Sequence, residues 1–291
     1  MSYYTNLQKA LDYIEEHAAE KLGIDRIARV AGYSIPHFYR VFGAIVGCSV
    51  SEYLRRRRLS RAAYDVAATK RSITEIAFEH GFESHEVFTR TFKSVYCAPP
   101  SVFRKEGSEP DLFEKPNLLA IEKESRMITM KPSIVCKEEK HLLGIARRMN
   151  QSENVKHNLI GKVQAEFRSM IGAIVNRIGP DVFYAVYDYN PEDIQKDDDE
   201  INYTYWFCIE VDSCEDIPAG MAVKTVPQGK YAVFVFDEAE GTLNGEKLDC
   251  DVYDFIDGVW LPNSGLELSD APDFELILEK DRRVEYYISI R

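Results

Sequence analysis

Two textures of hydrophobic spacing divide the chain. Over the first hundred residues apolar side chains recur three and four apart, the period of one helix face. From Ile128 onward they fall into short runs rich in Val, Ile, Tyr and Phe, the texture of strands. Leu7, Ala10, Leu11, Ile14 and Ala18 predict an opening helix over Asn6 to Glu20, with Thr5 or Asn6 as its cap. After it, one pattern is written twice. The first copy is Ile24-x-x-Ile27-Ala28-x-x-x-Gly32-Tyr33-Ser34 followed by Phe38, Arg40 and Phe42. The second is Ile73-x-x-Ile76-Ala77-x-x-x-Gly81-Phe82-Glu83-Ser84 followed by Phe88, Arg90 and Phe92, at the same offsets from its serine.

Each copy predicts a helix, a turn and a second helix. Gly32 and Gly81 stand where the first helix must stop, since glycine takes the left-handed cap without a Cβ clash. Ser34 and Ser84 are placed to cap the second helix. Phe38, Val41, Phe42 and Ile45, and in the repeat Phe88, Phe92 and Val95, make its apolar back. Its front carries Tyr39 and Arg40, or His85, Glu86, Thr89, Arg90 and Lys93. An apolar back with a polar, cationic front suits the major groove of duplex DNA; the bland alternative is a helical hairpin inside a larger domain. Between the copies, Ser51 to Thr69 predicts one long helix bearing Arg55, Arg56, Arg57, Arg58 and Arg61. Such a helix would hold two recognition helices about 34 Å apart, so that they meet successive major grooves. Its arginines are phosphate-contact candidates, or else a solvated face with ion pairs.

The later half predicts strands at 133–137, 182–188, 203–211, 221–226, 231–236, 274–279 and 285–290. A long helix is expected over Asn158 to Arg177, with Ile160, Val163, Phe167, Met170, Ile171 and Ile174 inward, and another over Lys247 to Trp260. The order reads as an α+β sandwich with internal duplication. A polar stretch after Gly107 marks the boundary. The fold class is therefore two domains: an all-α tandem helix-turn-helix unit (1–107), a linker (108–127) and a duplicated α+β domain (128–291).

Charge sharpens this division. The whole 291-residue chain carries a net −12, which sits poorly with a nucleic-acid partner. Residues 1–107, however, hold 16 Lys+Arg against 12 Asp+Glu, net +4, and the remainder is net −16. Phosphate neutralisation needs a local cationic face only. The acidic run Asp197-Asp198-Asp199-Glu200 reads as a solvated loop. The six cysteines, Cys48, Cys97, Cys136, Cys208, Cys214 and Cys250, form no C-x-x-C pair. They fit a reducing compartment and argue against a zinc site or disulfide framework, with a Cys208/Cys214 redox pair as the alternative. No signal-peptide pattern opens the chain and no apolar run is long enough to span a bilayer, so a cytoplasmic protein without membrane contact is expected. No metal or cofactor is implied.

The repeated half resembles the DNA-binding domain of the AraC/XylS family. The residues that carry the likeness are Ile27-Ala28, Gly32-Tyr33-Ser34, Phe38, Arg40-x-Phe42, Gly47-x-Ser49-x-x-x-Tyr53, Arg58-Leu59-x-x-Ala62, Ile76-Ala77, Gly81-Phe82, Phe88-x-Arg90-x-Phe92-Lys93 and Pro100-x-x-x-Arg104. The resemblance implies base reading from Pro36, Tyr39 and Arg40 in one helix and from His85, Glu86, Thr89 and Arg90 in the other. Lys93, on the same polar front, and Arg55 and Arg58 of the arginine run are added as DNA-contact candidates. Pro36 departs from the aromatic that relatives can place there, and Cys97 replaces a turn glycine.

The acidic half resembles the GyrI-like effector-binding domain, found joined to AraC-type domains in Rob-like regulators. The likeness rests on Tyr184-x-x-Tyr187-Asp188, Cys208-Ile209-Glu210-Val211-Asp212, Val226-Pro227-x-Gly229-x-Tyr231-Ala232-Val233-Phe234, Trp260-Leu261-Pro262-x-Ser264-Gly265 and Asp273-Phe274-Glu275. It implies a pocket between two halves, an acidic group and aromatic walls, and lipophilic cations as ligands. Glu275 is the expected acid, with Glu210 second; Tyr187, Tyr205, Trp206 and Trp260 are the expected rings. The alternative places Glu275 in solvent and the rings in the core. The functional expectation is a non-enzymatic transcription regulator whose partners are promoter DNA, a small-molecule effector and RNA polymerase. A hydrolase of small electrophiles with Glu275 as base, or a protein-interaction module, stands as the alternative.

Overall fold

The computed structural model describes residues 2–20, 22–124, 130–189 and 202–291; the acidic run at 197–200 lies outside them. The chain divides into two compact units, the first ending and the second beginning between residues 124 and 130.

The first unit is helical. α1 (Tyr3–Glu16) is capped by Ser2, not by Thr5 or Asn6, and buries Leu7, Leu11 and Ile14 completely. α2 (Ile24–Ala31) stops at Gly32, whose φ of 77° is the left-handed conformation that glycine admits. α3 (Ile35–Val46) follows; Ser34 stands at its N-cap but makes no side-chain capping bond. α4 (Val50–Ala68) is the long connecting helix, capped by Ser49. The second copy gives α5 (Ile73–Glu79), opened by a reciprocal Ser72/Glu75 capping box, and α6 (His85–Tyr96), where Ser84 caps through Val87 N–H at 3.2 Å. α7 (Pro100–Glu106) and α8 (Leu118–Glu124) complete the unit. Phe38, Phe42, Phe88 and Phe92 are fully buried, as the repeat demands, whereas Val95 turns out to be 56% exposed. Cys97 holds φ 59°, so it occupies the left-handed turn in place of a glycine.

α4 serves both copies. Its first half sets Tyr53 edge-on against Phe42. Its second half contributes Leu59, Ala62, Ala63 and Val66 to the core around Ile76, Phe88, Phe92 and Phe103. The segment read as a linker is partly built into this unit. Phe113 packs on Tyr53 at 5.7 Å, its N–H donates to Ser60 Oγ at 2.8 Å, and Leu118 is buried.

The second unit is one curled antiparallel sheet with helices on its outer face. Its strands are β1 (Ser133–Lys137), β2 (Lys140–Met149), β3 (Val182–Asp188), β4 (Tyr203–Glu210), β5 (Ala222–Val226), β6 (Gly229–Asp237), β7 (Thr242–Leu243), β8 (Glu246–Lys247), β9 (Phe274–Leu278) and β10 (Arg283–Ile290). The order is β5-β2-β4-β3-β9-β10-β6-β7-β8, with β1 also on β6. The duplication is explicit here. β2, a helix, β3 and β4 form one β-α-β-β unit; β6, a helix, β9 and β10 form its copy, and the two meet at β3 and β9. Only two residues join β1 to β2 and β5 to β6, yet β1 pairs with β6 and β5 with β2. The sheet must therefore curl until its ends approach. Its inner face is filled by Leu142, Tyr184, Val186, Cys208, Val226, Tyr231, Val233, Phe274 and Tyr287.

β2 escapes the sequence pattern, because Gly144 and the pair Arg147-Arg148 interrupt its alternation. Gly144 is required there: a Cβ would run into the Phe207 carbonyl and Cys208 Sγ. After the short α9 (Gln151–His157), the expected long helix is α10 (Leu159–Met170), followed by a 3-10 turn (Ile171–Ala173). It ends early because the chain leaves to bridge Arg177 to Val211 at the sheet. The other helix begins at Val252, after the β7–β8 hairpin takes up Lys247. α11 (Val252–Phe255), a π turn (Ile256–Trp260) and α12 (Leu261–Ser264) follow without a break. Pro262 offers no N–H and its ring crowds the carbonyl four residues back, which accounts for the widened turn.

Candidate functional site

In the helical unit the two recognition helices differ. On α6, Glu86, Arg90 and Lys93 are exposed and spaced four and three apart, so they form one stripe. His85 and Thr89 flank it, half-buried, with the Thr89 hydroxyl enclosed. On α3, Pro36, Tyr39 and Arg40 are all half-buried, and His37 of the same helix lies 4.4 Å from Tyr33. The exposed cations thus belong to the second helix. Glu86 is held below the usual carboxylate range by backbone and Ser84 hydrogen bonds at the helix start.

The arginine run on α4 splits by direction. Arg55 and Arg56 face outward, Arg56 lying 4.0 Å over the Phe113 ring. Arg57 and Arg61 turn onto α1 and clamp Glu15 at 2.7 and 2.6 Å, with Tyr53 donating to the same carboxylate at 2.9 Å. Burial alone would raise Glu15, but the bonds from Arg57 and Tyr53 hold it below its ordinary value. Arg58, expected on phosphate, is instead bound to main-chain carbonyls. Its Nε donates to Ala18 at 2.5 Å, Nη2 to Glu20 at 2.7 Å and Nη1 to Gly81 at 3.3 Å.

In the second unit the site forms on the outer sheet face, where the two repeats meet. Opposed residues in a ladder share a face. Glu275 on β9 is opposed to Ala185 on β3 and to Tyr286 on β10. Tyr187, two residues along from Ala185, and its partner Tyr205 share that face. Glu275 Oε1 accepts from Tyr187 Oη at 3.2 Å and from Tyr253 Oη, on α11, at 3.1 Å. Tyr205 stands 5.4 Å from Tyr187 and receives a 3.0 Å bond from Gln164 of α10; Tyr286 stands edge-on to Tyr253 at 5.4 Å. One carboxyl group is thus ringed by four phenols, with a helix from each repeat over it. Burial pushes Glu275 up to about 7, although both hydroxyl donors act in the opposite direction. Burial, followed by the charge of Glu275, lifts Tyr187 well above the ordinary tyrosine value.

Of the candidate ligand-site residues, the structure brings Glu275, Tyr187 and Tyr205 together. Trp206 does not: as the strand neighbour of Tyr205 it points to the inner face, beside Lys224 at 5.7 Å. Trp260 is 4% exposed and edge-on to Phe234 at 4.9 Å, so it serves the core of the second repeat. Glu210 is taken up by Tyr184 and Lys140, each at 2.8 Å. Tyr253 and Tyr286 were not foreseen. Period-two spacing from a known β9–β10 register would have found Tyr286, but register is not written locally.

Fold and site together define a two-module protein, a tandem helix-turn-helix unit joined to a duplicated α+β unit that encloses one carboxyl group among phenols. A helix-turn-helix domain model matches residues 27–106, and the GyrI-like small molecule binding domain model matches residues 130–291, more than half of the chain. Among similar proteins, the HTH-type transcriptional regulator YbfP of Bacillus subtilis is 42% identical over 104 residues, 36% of this chain and 35% of that one. The right origin-binding protein of Escherichia coli is 27% identical over 205 residues, 68% of this chain and 67% of its own length. The regulatory protein SoxS of Salmonella typhimurium is 35% identical over 104 residues, 36% of this chain and 97% of its own. The chain spans only about a third of YbfP. It belongs to the GyrI-like small-molecule-binding family, joined here to an AraC-type helix-turn-helix DNA-binding domain. Among the described residues no helix is long and apolar enough to cross a membrane, and no cluster of metal-ligating side chains occurs.

Proposed function

We propose that this AraC-type protein regulates transcription in response to a lipophilic cation bound at Glu275, acting by binding rather than by turnover. The observation that supports it is a single carboxyl group set among tyrosine rings, with its charged form held back by burial. An arriving cation would favour ionisation of Glu275 by Coulomb attraction and rest against the rings by cation–π contact. It would replace the two phenol donors as the partner of the carboxylate. Arg90, Lys93, Glu86 and Thr89 of α6 would read or flank one major groove, and Tyr39 and Arg40 of α3 its neighbour. Promoter DNA and RNA polymerase are the macromolecular partners of this reading. Calorimetry of the full chain with tetraphenylphosphonium and with neutral triphenylphosphine oxide tests it, beside Glu275→Gln. Selective binding of the cation, lost in the variant, is expected; equal binding of both compounds would refute the assignment.

A further inference from the structure

α4 changes allegiance at its middle. Tyr53 packs with the first helix-turn-helix and Leu59 with the core of the second. Arg58 lies at that junction. From there its planar head reaches the carbonyls of Ala18 and Glu20, where the chain leaves α1 for the first copy, and the carbonyl of Gly81 in the turn of the second. A rigid fork of donors can hold three fixed acceptors in one plane, which a lysine ammonium on a flexible stem cannot reproduce. The turn is fitted to it. Gly81 has φ 76°, and a Cβ there would stand 3.0 Å from the Ala19 carbonyl and 3.1 Å from Arg58 Cζ. Two further ties fix the second copy to the far half of α4. His80 Nε2 lies 2.8 Å from Asp65 Oδ2, and Arg104 Nε donates to the Val66 carbonyl at 2.8 Å. The Arg58 node differs from these in linking the second copy to the segment that enters the first.

We propose that Arg58 is a positioning residue that fixes the rotational phase between the two recognition helices, and thereby the spacing of the DNA half-sites the protein accepts. The inference rests on the reading of both helices as groove readers. A guanidinium spent on three carbonyls has no need of phosphate, and its work is to keep α3 and α6 in register with the duplex. One base pair more or less between half-sites turns the second by about 35°. A rigidly phased pair then loses the base contacts of one helix, about tenfold or more in affinity.

The test uses the full chain and a duplex selected by it from a random-sequence library, with half-sites mapped by footprinting. Wild type, Arg58→Ala, Arg58→Lys and Gly81→Ala are titrated against that duplex and against versions with one base pair inserted or removed. The wild type is expected to lose about tenfold or more on either change. All three variants should flatten that preference while keeping the salt dependence of binding. A phosphate contact behaves oppositely, lowering the salt slope by about one and leaving the spacing preference intact. Retention of the wild-type spacing preference by folded Arg58→Ala overturns the proposal. Should that variant fail to fold, retention by Arg58→Lys and Gly81→Ala overturns it equally. A wild type that selects duplex but ignores spacing overturns it while sparing the DNA-binding reading. A wild type that selects no duplex removes both.

Discussion

If a cation binds at Glu275, its affinity must depend on pH over a window set by that one carboxyl. Glu275 is held at about 7 by burial. Only the ionised form attracts a cation, so binding is linked to loss of the Glu275 proton. At pH 6 about one-tenth of the sites are ionised and at pH 8 about nine-tenths, so the observed affinity should rise about tenfold, or ~1.4 kcal/mol. Proton release makes the same point independently. Binding should expel about 0.9 proton per site at pH 6 and about 0.1 at pH 8. Titration calorimetry of tetraphenylphosphonium in phosphate and in Tris separates this proton heat from the binding heat. In Glu275→Gln both the pH dependence and the buffer dependence should vanish, and affinity should fall at pH 8 more than at pH 6. A cation bound equally tightly at pH 6 and pH 8 by the wild type, with no buffer dependence, would refute the assignment of Glu275 as its counter-charge.

The same carboxyl predicts a stability effect without ligand. Its folded value of about 7 lies above the ordinary 4.5, so the unfolded chain ionises first as pH rises. Stability is then lost between about pH 4.5 and 7, amounting to ~3 kcal/mol above that range. Relative to wild type, Glu275→Gln should gain about that much in urea unfolding of the second unit between pH 4.5 and pH 8, and a gain independent of pH would contradict the burial argument. Arg90→Ala should weaken specific duplex binding by ~1–3 kcal/mol if Arg90 reads a base; a uniform loss on all sequences in a gel-shift series would make it a backbone contact. Gly144→Ala drives a methyl into the Phe207 carbonyl and Cys208 Sγ. It should cost more than about 2 kcal/mol in the second unit's thermal transition while leaving duplex binding by the helical unit unchanged.

The helical unit was legible because its information is local. Glycine stops, N-cap serines and phenylalanines at fixed offsets specify each turn within a dozen residues, and the structure reproduces their positions, although only Ser84 of the two serines makes the capping bond. The arginine run was legible as helix but not as function. Arg57, Arg58 and Arg61 turn to Glu15, Ala18, Glu20 and Gly81, acceptors 23 to 46 positions away that no window reveals. In the second unit, Glu275 and Tyr187 were found through alternation and family likeness. Alternation alone separates Trp206 from the site, since Tyr205 and Trp206 are strand neighbours and face opposite ways. Tyr286 required the β9–β10 register, and Tyr253 required the true start of its helix at Val252. β2 carries no legible period, because Gly144, Arg147 and Arg148 interrupt its alternation.

The crossed pairing of β1 with β6 and β5 with β2 makes this half of the molecule resemble a strand-exchanged dimer fused into one polypeptide. Each repeat lends its partner an edge and borrows one in return. Ser133 finds its place only beside Val233, a hundred residues later. On a ribosome, β1 must therefore wait, unpaired, until β6 at Gly229–Asp237 has emerged. Neither repeat can be cut away as an independent folding unit, because each would expose an edge the other was built to cover. The two repeats are thus tied at the β3–β9 seam and again by the exchanged strands at the ends of the sheet. Glu275, on β9 at that seam, sits where the two repeats hold each other, and a ligand bound there would be felt by both.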